Sequence, residues 1–107
     1  MIEMNKVQFE QKVMDAQPVL VEFWAPWCVY CRRIGPALER ISREQAGSVL
    51  VGKVNIDDEP ALAHIEQIEV VPTLILYQNG QALGSIVAPE SRARIESFVR
   101  ETLGEGI

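Results

Sequence analysis

The chain has 107 residues, 48% of them hydrophobic and 23% charged, and a net charge of −5. This length and composition fit one globular domain that spans residues 1–107 and buries a core of its own. The acidic balance argues against binding to nucleic acid or to an anionic membrane, because both require a basic surface. No stretch approaches the ~20 apolar residues of a membrane span, so we expect no insertion into a membrane either.

Apolar periodicity and turn residues divide the chain into alternating helices and strands. Asn5 begins the first helix as an N-cap, and continuous apolar runs predict strands that are buried on both faces of a sheet. Asn79-Gly80 lies between two apolar runs and predicts a hairpin. In chain order we predict a helix over 5–16, a strand over 18–24, a helix from Cys28 to Ala46, a strand over 48–56, a short helix ending near Ile68, strands over 73–78 and 81–87, and a helix over 90–103, with room for a short strand at 2–4.

Strands that are separated by helices pair in parallel through right-handed crossovers, whereas a hairpin adds an antiparallel pair. The predicted fold class is therefore α/β, with a central mixed sheet of four to five strands flanked by four helices.

The second predicted helix carries several arginines, which alternate with glutamates. Glu39–Arg43 and Arg40–Glu44 have the i,i+4 spacing at which side chains on one helix meet. We therefore predict that this solvated face pairs its own charges and is not a basic binding patch.

The two cysteines, Cys28 and Cys31, closely follow the first long strand, at the start of the next predicted helix. A Cys-x-x-Cys pair at such a junction indicates a thiol–disulfide redox site. The helix N-terminus favours a thiolate at Cys28, because unpaired N–H groups and the helix dipole stabilise an anion there. A domain of this size does not need a structural disulfide, and a metal site requires about four ligands, whereas the single histidine, His64, is distant in sequence.

Several separated motifs accompany this pair. They are Val21–Ala25, Trp27-Cys28-x-x-Cys31, Pro36, Lys53–Asp57, Val71-Pro72-Thr73 and Asn79-Gly80. In this order and at these spacings they resemble the thioredoxin family over nearly the whole chain. The resemblance implies a thioredoxin fold and the reduction of protein disulfides, in which Cys28 is the nucleophile and Cys31 resolves the mixed disulfide. It implies no cofactor beyond the redox-active Cys28–Cys31 disulfide.

Glu22 interrupts an apolar strand two residues before Trp24. A carboxylate is costly to bury, so we expect its pKa to be raised and the group to exchange protons. The resemblance places Glu22 behind the cysteines, as the proton acceptor for Cys31, and Lys53 near this acid. The residues alone leave open a simpler arrangement in which Glu22 and Lys53 both reach solvent.

The resemblance also implies a substrate-binding surface made of Trp27, Val71, Pro72, Val87 and Ala88. In it, Pro72 is cis and packs opposite the cysteines, which leaves the preceding backbone free to pair with an extended substrate segment. Trp27 is expected to be partly exposed. Three further residues are expected to tune the site: Trp24, which packs beneath it, and Val29 and Tyr30, which lie between the cysteines.

Four residues, at three places in the chain, depart from the family pattern. Val29-Tyr30 replaces the usual Gly-Pro between the cysteines, Ala88 replaces a glycine, and Glu22 stands in place of a buried aspartate. The residues between the cysteines affect how well the thiolate is stabilised, and hence the reduction potential. Disulfide oxidase, isomerase or glutathione-linked activity therefore stays open beside protein-disulfide reduction, as does a non-catalytic binding module.

The expected partners are disulfide-containing proteins and a separate electron donor of the thioredoxin-reductase type, because the chain has no flavin- or nicotinamide-binding fingerprint. Residues 1–11 contain no apolar secretory core, so we expect a cytoplasmic location. The resemblance implies a monomer.

Overall fold

The computed structural model of the protein describes residues 1–104, so the predicted domain boundary at residue 107 lies outside the described residues. Nine helices and strands follow one another in this part of the chain. They are β1 (Ile2–Glu3), α1 (Lys6–Lys12), β2 (Val19–Trp24), α2 (Val29–Glu44), β3 (Leu50–Asn55), α3 (Pro60–Ile65), β4 (Thr73–Gln78), β5 (Gln81–Val87) and α4 (Arg92–Leu103). Among these residues, none of the helices has the length and apolar character needed to cross a membrane.

The strands form one mixed sheet in the order β1-β3-β2-β4-β5. The strands β1, β3 and β2 are parallel, whereas β4 is antiparallel to both β2 and β5. The structure thus confirms the predicted α/β class, with five strands and four helices. The hairpin turn is at Asn79-Gly80, where both residues take positive φ angles of 54° and 80°.

Two hydrophobic clusters cover the two faces of the sheet, because side chains alternate along each buried strand. On one face, α1 and α3 pack against β2 through Phe9 and Leu62, which meet Val21 and Phe23. On the other face, α2 and α4 pack against β2, β3 and β4; the buried residues are Leu20, Ile34, Leu38, Ile41, Val49, Val51, Leu74, Leu76, Ile95 and Phe98. The central strand β2 therefore contributes to both halves of the core.

The first helix ends earlier than predicted, at Lys12 and not at residue 16. Two carbonyl groups beyond its end accept hydrogen bonds from the hairpin: Gly80 N–H donates to Val13 (2.7 Å) and Asn79 N–H donates to Asp15 (2.9 Å). In a longer helix these carbonyl groups would point along the helix axis and accept N–H groups of the next turn. Because they accept N–H groups of the hairpin, the helix ends at Lys12. The third helix also ends early, at Ile65, and Gln67 follows with a φ of 59°, which is outside the helical region.

The prediction that α2 pairs its own charges is wrong for the described residues, in which neither i,i+4 pair is formed. Glu44 instead receives the Arg92 guanidinium of α4, with 2.6 Å between Oε1 and Nη2. Glu39 lies 3.9 Å from the amino group of Met1. Partners from distant parts of the chain thus replace the local ones.

Candidate active site

The two cysteines meet at the N-terminus of α2. Cys28 is the N-cap residue, with an extended backbone (φ −87°, ψ 107°), and the backbone N–H of Cys31 donates a hydrogen bond to its sulfur over 3.1 Å. The Cys28 sulfur thus occupies the place of a capping oxygen, where the helix N–H groups and dipole favour negative charge. Both residues are free thiols and buried, with exposed fractions of 7% for Cys28 and 4% for Cys31.

The environment of Cys31 keeps this thiol protonated. Burial raises its pKa to about 12, and the Cys28 side chain and the charge of Glu22 add to the effect, while a hydrogen bond with the Ala25 backbone opposes it. Ala25 is itself completely buried and packs with both cysteines. Cys31 therefore needs a proton acceptor before it can act as a nucleophile at neutral pH.

Glu22 is the candidate acceptor. It lies in the middle of β2 with an exposed fraction of 3%, and no hydrogen-bond partner among the described residues reaches its Oε2. Burial raises its pKa to about 7, with a smaller lowering by Lys53 and a smaller raising by Glu3. The expectation of a raised pKa is confirmed, and the alternative of a glutamate that reaches solvent is wrong.

Lys53 faces Glu22 across the parallel pair β2–β3, because the two residues are in register. Its amino group lies 3.8 Å from Glu3 Oε1 and 4.7 Å from the centre of the Trp24 ring, and Trp24 Nε1–H donates to Glu3 Oε2 over 3.3 Å. The lysine side chain is about one-third exposed. Lys53 is thus held over Trp24, with Glu3 on its other side.

Glu3 is a site residue that the sequence reasoning missed. It belongs to β1, which pairs with β3 so that Glu3 and Lys53 are directly opposite. An acidic residue in the possible short strand at 2–4 was the only local indication, and the pairing of β1 with β3 is needed to bring it to Lys53. The acid–lysine pair on β2 and β3 therefore extends to a third strand.

The expected docking residues meet at the Val71–Pro72 segment. The Val71–Pro72 peptide bond is cis, as the resemblance implies, and Val71 packs against Ala25 and the two cysteines. Trp27 is 65% exposed and its Nε1–H donates to Asp57 Oδ1 over 3.3 Å. A small groove of about 80 Å³ runs beside it, lined by Trp27, Ile56, Ile68, Glu69, Val70 and Val71.

Val87 and Val29 are also exposed. The residues that follow them, Ala88 and Tyr30, each donate a hydrogen bond to a backbone carbonyl. Ala88 N–H donates to the carbonyl of Pro72 over 3.0 Å, and the Tyr30 hydroxyl donates to the carbonyl of Pro89 over 2.9 Å. The docking residues thus gather around the Val71–Pro72 segment beside the cysteines, while Glu22 and Lys53 lie within β2 and β3. The described contacts of Lys53 are with Trp24 and Glu3 and not with the cysteines.

His64 is exposed on α3 and takes no part in the site. Among residues 1–104, no group of three or more His, Cys, Asp or Glu side chains is placed to hold a metal ion.

Comparison with known proteins identifies the family. The family model Thioredoxin matches residues 1–101. The chain belongs to the thioredoxin family. A thioredoxin of Buchnera aphidicola subsp. Acyrthosiphon pisum (strain APS) is 37% identical over 103 residues, which are 95% of this chain and 95% of that relative. Thioredoxin 1 of Synechococcus elongatus (strain ATCC 33912 / PCC 7942 / FACHB-805) is 40% identical over 80 residues, 74% of this chain and 75% of that relative.

A third thioredoxin relative is a longer protein. The bifunctional thioredoxin reductase/thioredoxin of Mycobacterium leprae (strain TN) is 38% identical over 95 residues, which are 88% of this chain and 21% of that relative.

Membership of the thioredoxin family fixes the class of reaction. Thioredoxins are thiol–disulfide oxidoreductases that reduce protein disulfides through a redox-active disulfide, and this chain is one of them. The oxidase, isomerase, glutathione-linked and binding-module alternatives are not favoured. The five-stranded sheet and its four helices are the thioredoxin fold.

Proposed function

We propose that the protein reduces substrate disulfides by a two-step exchange in which Cys28 is the nucleophile and Cys31 the resolving residue. The observation that carries this assignment is the position of the Cys28 sulfur at the N-cap of α2, where it accepts the Cys31 N–H. A helix N-terminus stabilises the thiolate, which is the form that attacks a disulfide.

In the first step the Cys28 thiolate attacks one sulfur of the substrate disulfide. A Cys28–substrate bond forms, the substrate S–S bond breaks, and the second substrate sulfur leaves as a thiolate. In the next step Cys31, after losing its proton, attacks the Cys28 sulfur and releases the remaining substrate thiolate. Two electrons have then passed from the protein dithiol to the substrate, and the protein holds a Cys28–Cys31 disulfide.

Glu22 takes the Cys31 proton in the second step. A carboxyl group with a pKa of about 7 is partly ionised at neutral pH, whereas the Cys31 thiol, with a pKa of about 12, is not. The buried carboxylate is therefore the base, and it later returns the proton to solvent or to a leaving thiolate. Lys53 favours the ionised form of this acid, since its positive charge lowers the pKa of Glu22.

The substrate lies against the surface formed by Trp27, Val71, Pro72, Val87 and Ala88. Trp27 and Val87 supply exposed apolar area that a bound substrate would cover. The backbone at Val71 lies next to the cysteines and pairs with an extended substrate segment, as in strand addition. Val29, Tyr30 and Trp24 tune the site from between and beneath the cysteines.

The chain acts as a single cytoplasmic domain over residues 1–107, monomeric and without a bound cofactor. Its electrons come from a separate reductase of the thioredoxin-reductase type. The name of the Mycobacterium leprae relative, which joins a thioredoxin reductase with a thioredoxin, supports such a pairing.

The test is the reduction of insulin disulfides by dithiothreitol, with wild type and Cys28→Ser compared. We expect wild type to accelerate the reaction and Cys28→Ser to fall to the uncatalysed rate, because a serine hydroxyl does not ionise at neutral pH. Cys31→Ser is the matched control: it should retain the first step and accumulate a covalent Cys28–substrate adduct, visible by mass spectrometry. Equal activity of wild type and Cys28→Ser would contradict the assignment of the nucleophile.

A further inference from the structure

Tyr30, one of the two residues between the cysteines, makes the only side-chain hydrogen bond described between this motif and the segment after β5. Its hydroxyl donates to the carbonyl of Pro89, 59 positions away, over 2.9 Å. Its ring is half-buried and packs against both the cluster around the cysteines and the larger core under α2 and α4. The ring position is thus fixed on two sides, which orients the hydroxyl toward Pro89.

The segment that receives this bond is held in a strained conformation. Ala88 has a φ of 46°, in the left-handed region that residues other than glycine and asparagine seldom adopt. Its N–H donates to the carbonyl of Pro72 over 3.0 Å, so the same turn is fastened to the Val71–Pro72 segment. A strained residue keeps such a conformation only where its surroundings hold it.

We propose that Tyr30 is a positioning residue that fastens the Ala88–Pro89 turn to the first turn of α2 and so pre-forms the substrate-docking surface. Two hydrogen bonds then link three separate segments: Tyr30 to Pro89, and Ala88 to Pro72. This inference rests on the proposed function, because it assigns a role in docking to the surface that was proposed above.

The hydrogen bond of the Tyr30 hydroxyl predicts an effect on substrate binding and not on the sulfur chemistry. Tuning of the cysteines by residue 30 would depend on its ring, which Tyr30→Phe retains. A tyrosine hydroxyl has one proton, and here it is donated in the hydrogen bond to the carbonyl of Pro89. The hydroxyl therefore has no proton left to donate to the Cys28 thiolate. Fixing the turn beforehand removes an ordering cost that a protein substrate would otherwise meet on binding. A small disulfide that does not touch the turn should gain nothing from it.

The test compares Tyr30→Phe with wild type in three measurements. These are KM and kcat for insulin with a reducing system, the rate with the small disulfide 5,5′-dithiobis(2-nitrobenzoic acid), and amide hydrogen exchange at Ala88. We expect KM for insulin to rise about two- to tenfold, the range of one net hydrogen bond, with kcat and the small-disulfide rate changed less than about twofold. The Ala88 amide is the reporter of the turn, since neither Pro72 nor Pro89 has an N–H, and it should exchange faster by a similar factor.

Tyr77→Phe is the matched control. It also removes a tyrosine hydroxyl that donates a hydrogen bond, to Glu66 Oε1 over 2.6 Å, but it does so in the α1-side cluster and away from the cysteines. It should leave KM for insulin and exchange at Ala88 as in wild type. If it changes both as much as Tyr30→Phe does, general loosening explains the result and the proposal is overturned.

Unchanged exchange at Ala88, or unchanged KM for insulin, in Tyr30→Phe would overturn the role of Tyr30. An equal loss with insulin and with the small disulfide would do the same, because it would place the effect on the sulfur chemistry. Failure of the proposed function has a different signature: wild type would react with the small disulfide but not with insulin. In that case KM for insulin cannot be measured in either protein. The result would refute both the docking surface for insulin and the role of Tyr30 in it.

Discussion

Glu22 is a buried acid whose charged form is costly at its position. It is an acid within an apolar strand, on the face of the sheet that α2 covers, and burial is the main cause of its pKa of about 7. Its neighbours Lys53 and Glu3 act on it in opposite directions, and burial outweighs both. The chain therefore keeps at this position a group whose charged form is disfavoured, which supports the proposed role of Glu22 as a proton acceptor.

This cost should be measurable as a pH dependence of stability. Between pH 4.5 and about 7 the unfolded chain has lost the Glu22 proton while the folded chain still holds it. The folded state binds more protons in this window, so the contribution of Glu22 to the free energy of unfolding falls as the pH rises. Over roughly 2.5 pH units the loss amounts to about 3 kcal/mol.

Glu22→Gln removes the titration while keeping the shape of the side chain. We expect urea unfolding at pH 8 to show this variant more stable than wild type by about 2–3 kcal/mol, with the difference shrinking toward pH 4.5. Glu69→Gln, an exposed change between α3 and β4 at a glutamate that forms no ion pair among the described residues, serves as the control and should leave the pH dependence as in wild type. A pH-independent difference between Glu22→Gln and wild type would show that Glu22 is not the buried titrating group.

The last two elements, β5 and α4, are joined by a turn in which Ala88 occupies a backbone conformation that favours glycine. Ala88 takes a positive φ, and its Cβ is crowded in that conformation. Glycine would relieve the strain at the cost of greater freedom in the unfolded chain, and the first effect is the larger. The turn is therefore kept in place by its hydrogen bonds and not by the local preference of its sequence.

Ala88→Gly should raise the free energy of unfolding by about 0.5–1 kcal/mol. Ala82→Gly, on the strand that precedes this turn, makes the same chemical change at an exposed position within β5. There it should lower stability by about 0.5–1 kcal/mol, because glycine in a strand loses more conformational freedom on folding. Urea denaturation of the two variants checks the opposite signs; a loss of stability in both would contradict strain at Ala88.

The fold of the whole molecule could be predicted largely from local patterns, whereas part of the site could not. The apolar runs of β2 and β3, the Asn79-Gly80 turn and the Cys28 position each depend on neighbouring residues, and the structure has them where they were predicted. The contacts of Glu3 with Lys53 and of Tyr30 with Pro89 join residues 50 or more positions apart. Such pairs follow from strand order and register, which the periodicity of a single segment does not contain.

The proposed monomer leads to a prediction about mass. The exposed apolar residues near the cysteines, such as Trp27, Val29 and Val87, form a surface that a second copy could also cover. Sedimentation equilibrium should nevertheless give the chain mass of 12.0 kDa at micromolar concentration, with no change on Trp27→Ala. A concentration-dependent rise toward twice this mass, abolished by Trp27→Ala, would contradict the monomer and identify the docking surface as a self-association site.

The contacts that build the site run from Glu3 to Pro89, so they span most of the chain. A polypeptide that is still being synthesised, or one that has been clipped before the second half of the sheet, contains both cysteines but lacks the turn that Tyr30 fastens. Its thiols would be present without the face that selects a substrate. If this surface docks the substrate as proposed, selective reactivity is a property that the chain acquires only when nearly all of it is in place.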